Sequence, residues 1–275
     1  MPDGSRRLQA AFPAGHPALI AYVMCGYPSV AESRDYAHVL ARHADILELG
    51  IPFSDPLADG ATIQAAGHRA LEMGTRPSDA FDIAASLRGG PPVVVMTYVT
   101  LVLAAGPDAF FGRAADAGVA GAIIPDLPLD EGEAIRESAR RAGVAIVPLA
   151  APTTSDARLE AIGRQADAFC YLVSVAGVTG GEVAVDDQLR AFVARARRAI
   201  DSPLAVGFGI RTPEHARAIG AFADGVVIAS HLIRLIDEAG SHEAALVALD
   251  RYGAELASAL AGVVREASWP AQRDS

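Results

Sequence analysis

Eight apolar runs of strand length alternate with amphipathic stretches of helical length, and this pattern predicts an α/β fold: a single (β/α)8 TIM barrel with an extra N-terminal helix and a long C-terminal helix. A length of 275 residues, 51% of them hydrophobic, suits one such domain spanning residues 1–275. No linker, low-complexity tract or compositional break divides the chain. In order, the expected strands are residues 18–25, 46–49, 93–98, 121–125, 145–149, 169–174, 204–208 and 225–230. Between them, residues 29–42, 108–117, 130–142, 155–164 and 187–200 carry apolar side chains three and four apart, the period of a helix with one buried face. Ser29, Asp130, Ser155 and Thr212 stand where N-caps are needed. Gly118, Gly143 and Gly225 sit at joints of the form Ala-Gly-Val or Ala-Asp-Gly-Val and are expected as left-handed helix C-caps. The last helix is expected over residues 243–264, with residues 268–275 as a frayed tail.

Composition removes several kinds of function. A net charge of -10 without any Lys/Arg block argues against nucleic acid and anionic membranes as partners. Neither residues 1–17 nor any later stretch approaches the roughly 18 continuous apolar residues of a membrane span, so a cytoplasmic protein is expected. The two cysteines, Cys25 and Cys170, both fall in expected strands and read as small buried hydrophobes, with no metal site to be built from them. All 23 Lys+Arg residues are arginine. Without lysine no Schiff base can form on a side chain, which excludes Lys-dependent aldolases and pyridoxal-phosphate enzymes.

In a barrel of this kind, reactive groups gather at the C-terminal ends of the strands and on the loops beyond. Glu48 is a carboxylate inside an apolar run near the end of the second strand, where burial of an ionised group is costly, and Asp59 lies on the turn-rich loop that follows. Tyr98 ends the third strand, Asp126 the fourth, and Tyr171 and Ser174 lie on the sixth. Gly177–Gly181, Gly207–Gly209 and Ala229-Ser230 then place glycine-rich or small-residue turns on the last three loops, where backbone N–H groups commonly hold a phosphate. Ser230 is expected to cap a short helix there. This phosphate site is expected to rest on backbone donors, without a cationic side chain. The histidines fit catalysis poorly: His38, His43, His68, His215 and His242 fall on expected helices, His16 precedes the first strand, and His231 is expected on an outer helix face. What remains is a carboxylate site with a phosphate clamp. It suits making or breaking a carbon–carbon bond in a substrate that serves as its own electron sink, such as an indole protonated at C3.

The run Leu47-Glu-Leu-Gly-Ile-Pro-Phe-Ser-Asp-Pro-Leu-Ala-Asp-Gly60 with Thr62-Ile-Gln64, together with Pro125-Asp-Leu-Pro128, Ala176-Gly-Val-Thr-Gly180 and Gly207-Phe-Gly-Ile210, resembles the tryptophan synthase α-subunit family over nearly the whole length. The resemblance implies retro-aldol cleavage of indole-3-glycerol phosphate to indole and glyceraldehyde 3-phosphate. It implies that Glu48 is the general acid/base and that Asp59 bonds the indole N–H and stabilises the positive charge developing on the ring. Tyr22 and Ile123 would line the indole pocket, with Tyr171 in its wall and Tyr98 and Thr179 as further substrate contacts. Gly180, Gly209, Ala229 and Ser230 would hold the phosphate. Pro52, Phe53 and Asp55 would belong to the loop that meets a β subunit in an α2β2 complex. No cofactor is implied in this chain, pyridoxal phosphate being expected only in the β partner. Three departures stand out. Tyr98-Val-Thr100 replaces the family's Tyr-x-Asn, Ala229 replaces a common Gly, and Val175 and Glu182 change the sixth loop, which in the family closes over substrate. Two alternatives stay open beside this: a stand-alone lyase releasing indole for a secondary pathway, and a non-catalytic activator of a β subunit.

Overall fold

β-Branched and leucine-rich runs bounded by turns form parallel strands, and in this chain both faces of those strands are covered, as parallel sheets require. The computed structural model describes residues 3–173, 187–207 and 209–263. Its strands are β1 (Ala18–Met24), β2 (Ile46–Gly50), β3 (Val93–Met96), β4 (Val119–Ile123), β5 (Ala145–Val147), β6 (Leu149–Ala150), β7 (Cys170–Val173), β8 (Leu204–Gly207) and β9 (Gly225–Ile228). All pair in parallel in the order β5-β4-β3-β2-β1-β9-β8-β7-β6. The terminal members of that order, β5 and β6, are consecutive in the chain. They are two halves of one stave interrupted by Pro148, which has no N–H to donate. Its carbonyl still accepts from the Tyr171 amide at 2.9 Å, so the ladder runs on and eight staves close the barrel.

The helices are α1 (Asp3–Ala10), α2 (Val30–Leu40), α3 (Ala61–Glu72), α4 (Pro77–Ser86), α5 (Val99–Ala105), α6 (Pro107–Asp116), α7 (Glu133–Ala142), α8 (Asp156–Gly163), α9 (Asp187–Ala199), α10 (Pro213–Gly220), α11 (Ser230–Glu238) and α12 (His242–Ala261). Ser29, Ser155 and Thr212 cap α2, α8 and α10 through their hydroxyls, as expected. Asp130 does not cap α7. That helix starts after Gly132, and the Asp130 carboxylate instead meets Arg158 of α8 at 3.0 Å. Ser230 is the first residue of α11 and Ala229 its N-cap. Gly118 and Gly143 have positive φ at helix ends, whereas Gly225 opens β9, where an added Cβ would stand 3.0 Å from the Phe12 ring. His43 lies in the turn after α2 and bonds Asp250 of α12 at 2.6 Å. α3 and α5 escape the apolar periodicity because α3 buries only Ala66, Gly67 and Ala70, and α5 is seven residues long. The expected tail, residues 268–275, lies outside the described residues.

Alternation within each strand divides the core in two. Leu47, Leu49, Val93, Val95, Leu204 and Val206 pack outward against the helices. Ile20, Ile46, Val94, Ile123, Val147, Phe169, Ala205 and Val227 fill the barrel. α1 closes the lower end with Leu8, and Phe12 follows it there, its ring 5.4 Å from that of Phe169. At the same end Asp45, just before β2, accepts the Leu19 amide at 2.8 Å, and Asp224, just before β9, accepts the Leu204 amide at 2.7 Å.

Candidate active site

Glu48 is inside the barrel because the inward positions of β2 are Ile46, Glu48 and Gly50, with Leu47 and Leu49 turned to the helices. It pairs in register with Tyr22 of β1 and Val94 of β3. Its side chain is 1% exposed and its Oε2 has no hydrogen-bond partner among the described residues. Burial, and then the charge of Asp59, push its pKa up to about 8. Asp59, half-buried on the loop before α3, is pushed up to about 6 by burial, with the Tyr98 hydroxyl holding it down. Near neutral pH the pair is therefore split, with Glu48 mostly carrying a proton and Asp59 mostly ionised.

Both carboxylates face a cavity of about 590 Å³ at the C-terminal mouth of the barrel. Tyr22, Met96, Ile123, Leu149, Tyr171 and Val227 make its floor and walls. The two tyrosines are set by the same device. The hydroxyl of Tyr22 lies over Gly50 and that of Tyr171 over Gly207, where an added Cβ would stand only 2.0 and 2.2 Å from the respective oxygens. Burial raises both phenol pKa values well above the ordinary value, and the two carboxylates raise them further, so both remain neutral donors.

Tyr98 does not line the cavity but stands behind Asp59. Its hydroxyl accepts the Ala58 amide at 3.3 Å, and its ring stacks on Phe53, with centroids 4.9 Å apart. Pro52 is buried, Asp55 exposed, and Leu57 94% exposed on the same loop. Gln64 of α3 pins that loop by donating to the Asp59 and Pro56 carbonyls at 2.9 and 3.2 Å. Asp126 is not in the cavity either; it accepts the Val99 amide at 2.9 Å at the start of α5.

The far side of the mouth is built by Gly209, at φ 68°, and by Ala229 and Ser230 at the start of α11. Ala229 has φ -129°, which any L-residue adopts, so its methyl group brings no left-handed strain. Ser174, Val175, Gly177, Thr179, Gly180, Gly181 and Glu182 lie outside the described residues. Among the cavity-lining side chains absent from the expected site are Met96, Leu149 and Val227 and two cations, Arg211 and Arg234. For the cations the signals were their spacing, Arg211 directly after Gly207-Phe-Gly-Ile210 and Arg234 one helical turn after Ser230. His231 turns its ring against Tyr252, with centroids 4.8 Å apart, and burial lowers its pKa. Among the described residues no three His, Cys, Asp or Glu side chains gather as metal ligands.

A family model described as tryptophan synthase alpha chain matches residues 8–261. The chain is 44% identical over 226 residues to a tryptophan synthase alpha chain from Carboxydothermus hydrogenoformans, covering 81% of this chain and 85% of that one. Its fold superposes on a structure of Mycobacterium tuberculosis tryptophan synthase with a TM-score of 0.85 at 33% identity, covering 94% of this chain and 97% of that one. A crystal structure titled as the tryptophan synthase complex from Pyrococcus furiosus matches with a TM-score of 0.81 at 35% identity, covering 90% of this chain and 100% of that one.

Proposed function

The chain belongs to the tryptophan synthase alpha chain family, with that family's lyase role in tryptophan biosynthesis, and from that premise we propose how its residues cleave indole-3-glycerol phosphate. The observation that carries the reading is the placement of two carboxylates, Glu48 and Asp59, in one largely apolar cavity, where burial raises the pKa of both. Protonated Glu48 delivers its proton to indole C3. The positive charge that results spreads to the ring nitrogen, whose N–H donates to the Asp59 carboxylate. A preorganised charge aimed at such a transition state is worth about 3 to 4 kcal/mol in comparable sites. The Glu48 carboxylate then takes the proton of the glycerol hydroxyl next to the breaking bond. The C–C bonding electrons return to the ring and restore aromatic indole, the hydroxyl carbon becomes the aldehyde of glyceraldehyde 3-phosphate, and Glu48 is protonated again. Tyr22, Ile123 and Tyr171 shape the indole end; Gly209, Ala229 and Ser230, with Thr179 and Gly180 of the loop after β7, take the phosphate end. With no lysine in the chain and no metal invoked, carboxylate acid/base chemistry bears the whole reaction.

A tryptophan synthase β subunit is the proposed partner, in an α2β2 assembly in which only the partner holds pyridoxal phosphate. The loop carrying Pro52, Phe53, Asp55 and exposed Leu57 is the proposed contact. Phe53 stacks on Tyr98 and Tyr98 holds Asp59, so docking has a short physical route to the reacting carboxylates. Among the described residues no helix is long and apolar enough to cross a membrane, in keeping with a proposed cytoplasmic site. The placement of both Glu48 and Asp59 in the cavity argues against a non-catalytic activator.

The purified chain should release indole from indole-3-glycerol phosphate, and saturating β subunit should accelerate it by about an order of magnitude or more, the scale of 1 to 3 kcal/mol of coupling. Its kcat/KM should follow a bell with limbs near the apparent values of the pair, about 6 and about 8. Absence of indole release with and without the β subunit overturns the reading. A fast free chain indifferent to the partner moves it to the stand-alone lyase.

A further inference from the structure

Resting on the reading above and deepening its phosphate end, the geometry points to Arg211 and Arg234 as charge partners of the substrate's phosphate, added to the backbone cradle. Arg211 extends from the loop after β8, two residues past Gly209. Arg234 comes from α11, four residues after Ser230 and so on the same face one turn along. Both are half-buried and line the cavity beside Gly209, Ala229 and Ser230. Burial and then the neighbouring Arg211 charge lower the pKa of Arg234, against the opposing influence of Glu238 and Tyr252.

Two like charges at a partly desolvated rim disfavour one another, and an anion placed between them lessens that cost. A phosphate monoester is that anion, since it carries about -1.5 to -2 charge at neutral pH and three acceptor oxygens. The first-turn amides and hydroxyl of α11 approach it along the helix axis, where the dipole favours negative charge. The guanidiniums approach from the flank with the paired donors that match phosphate geometry. The cations stand on the loop after β8 and on the helix α11 after β9, whereas the reacting carboxylates stand on β2 and the loop after it, with β1 between. The cavity thus has a positive and a negative end, which fixes the direction in which an indole ester phosphate enters.

The test compares Arg211→Gln, Arg234→Gln, the double variant and Arg234→Lys. Calorimetric affinity for glycerol 3-phosphate is measured with glycerol as the uncharged control, alongside kcat and KM for indole-3-glycerol phosphate. Each glutamine variant should weaken glycerol 3-phosphate binding by about tenfold or more, as for a lost charge-assisted hydrogen bond, and should raise KM more than it lowers kcat. Arg234→Lys should recover most of the affinity by restoring the charge, a rescue that a purely packing role does not produce. Wild-type affinity should fall with rising salt more steeply than that of Arg234→Gln. Should the double variant not fold, the lysine rescue and the salt dependence decide the matter. Affinity within about twofold of wild type in both single variants, with equal salt dependence, overturns the inference. Arginine-dependent phosphate binding without indole release would sink the catalytic reading alone; intact indole release with arginine-independent binding would sink this inference alone.

Discussion

Asp45 stands just before β2 and Glu48 in the middle of it, three residues apart, and both lose water on folding, yet one is a structural fastener and the other the proposed acid/base. Burial raises the pKa of Asp45, but the Leu19 amide at 2.8 Å and the His16 charge pull it back. Glu48 receives no such donor on Oε2, and its carboxylate neighbour adds to the effect of burial instead of opposing it. Desolvation is common to the two sites. It is more complete at Glu48, which is 1% exposed, and the amide donor that only Asp45 receives widens the difference, leaving Glu48 as the carboxyl group that holds a proton at neutral pH. The two ends of the barrel repeat the contrast on a larger scale. Below, α1 fills the opening with Leu8, and Asp45 and Asp224 clamp strand amides. Above, a cavity of about 590 Å³ keeps its polar groups for a ligand.

Glu48→Gln breaks the contrast most directly. The amide keeps the shape and cannot exchange the proton, so indole release should fall by about 10²- to 10⁴-fold with the fold intact. Retention of a tenth or more of wild-type turnover would contradict the acid/base role. The same variant should be the more stable protein at neutral and alkaline pH. Because Glu48 holds its proton up to about 8 when folded, against a value of 4.5 outside the fold, the folded state binds more protons through that window. Wild-type stability therefore falls as pH rises from about 4.5 to about 8 and levels off above. Melting curves should show the variant's advantage close to zero at the acid end of this window and widening toward the alkaline end; a constant difference would contradict the raised pKa.

Asp59→Asn is expected next, with a loss of about 10²-fold in kcat and a smaller change in KM, as for removal of one transition-state group. The acid limb of the pH profile, near 6, should disappear with it. An unchanged acid limb would assign that limb to another group. Asp45→Ala should have the smallest catalytic effect and a purely structural one. Leaving the Leu19 amide without its acceptor costs about 1 to 3 kcal/mol, read as a melting point lower by several degrees. Turnover per folded molecule should stay at the wild-type value. A loss of turnover there would erase the distinction between the fastener before the strand and the carboxylate within it.

Residues whose reason is local were legible in the sequence, and residues whose reason is tertiary were not. Glu48 stood out because a carboxylate inside an apolar run has no ordinary explanation, and the eight staves emerged because each is nearly continuous in apolar residues. The break at Pro148 vanished into one expected strand, since only the ladder shows that its carbonyl still pairs. Asp130 and Ser230 were misassigned by a few residues or by one, because any Ser or Asp near a helix start fits the capping pattern until the backbone fixes the first turn. Gly225 copied the motif of a C-cap although its need is for space beside Phe12. The roles of Tyr22 and Ile123 came through family resemblance, their strands reading only as core. Arg211 and Arg234 were missed because arginines on a helix and a loop normally point to water.

Glycines at 50 and 207 give the site a property that belongs to heredity more than to chemistry. Each tyrosine wall occupies the room of a missing methyl group on the neighbouring strand, so neither partner can vary independently. Alanine at 50 forces Tyr22 into the cavity, whereas a shortened residue at 22 leaves a void over Gly50. Only the double exchange restores packing, and the same holds for positions 171 and 207. Such pairs are epistatic: their substitutions are non-additive, and a lineage must cross a damaged intermediate to remodel either wall. The cavity's shape is thereby constrained by steric linkage between adjacent staves, independently of any single contact with substrate.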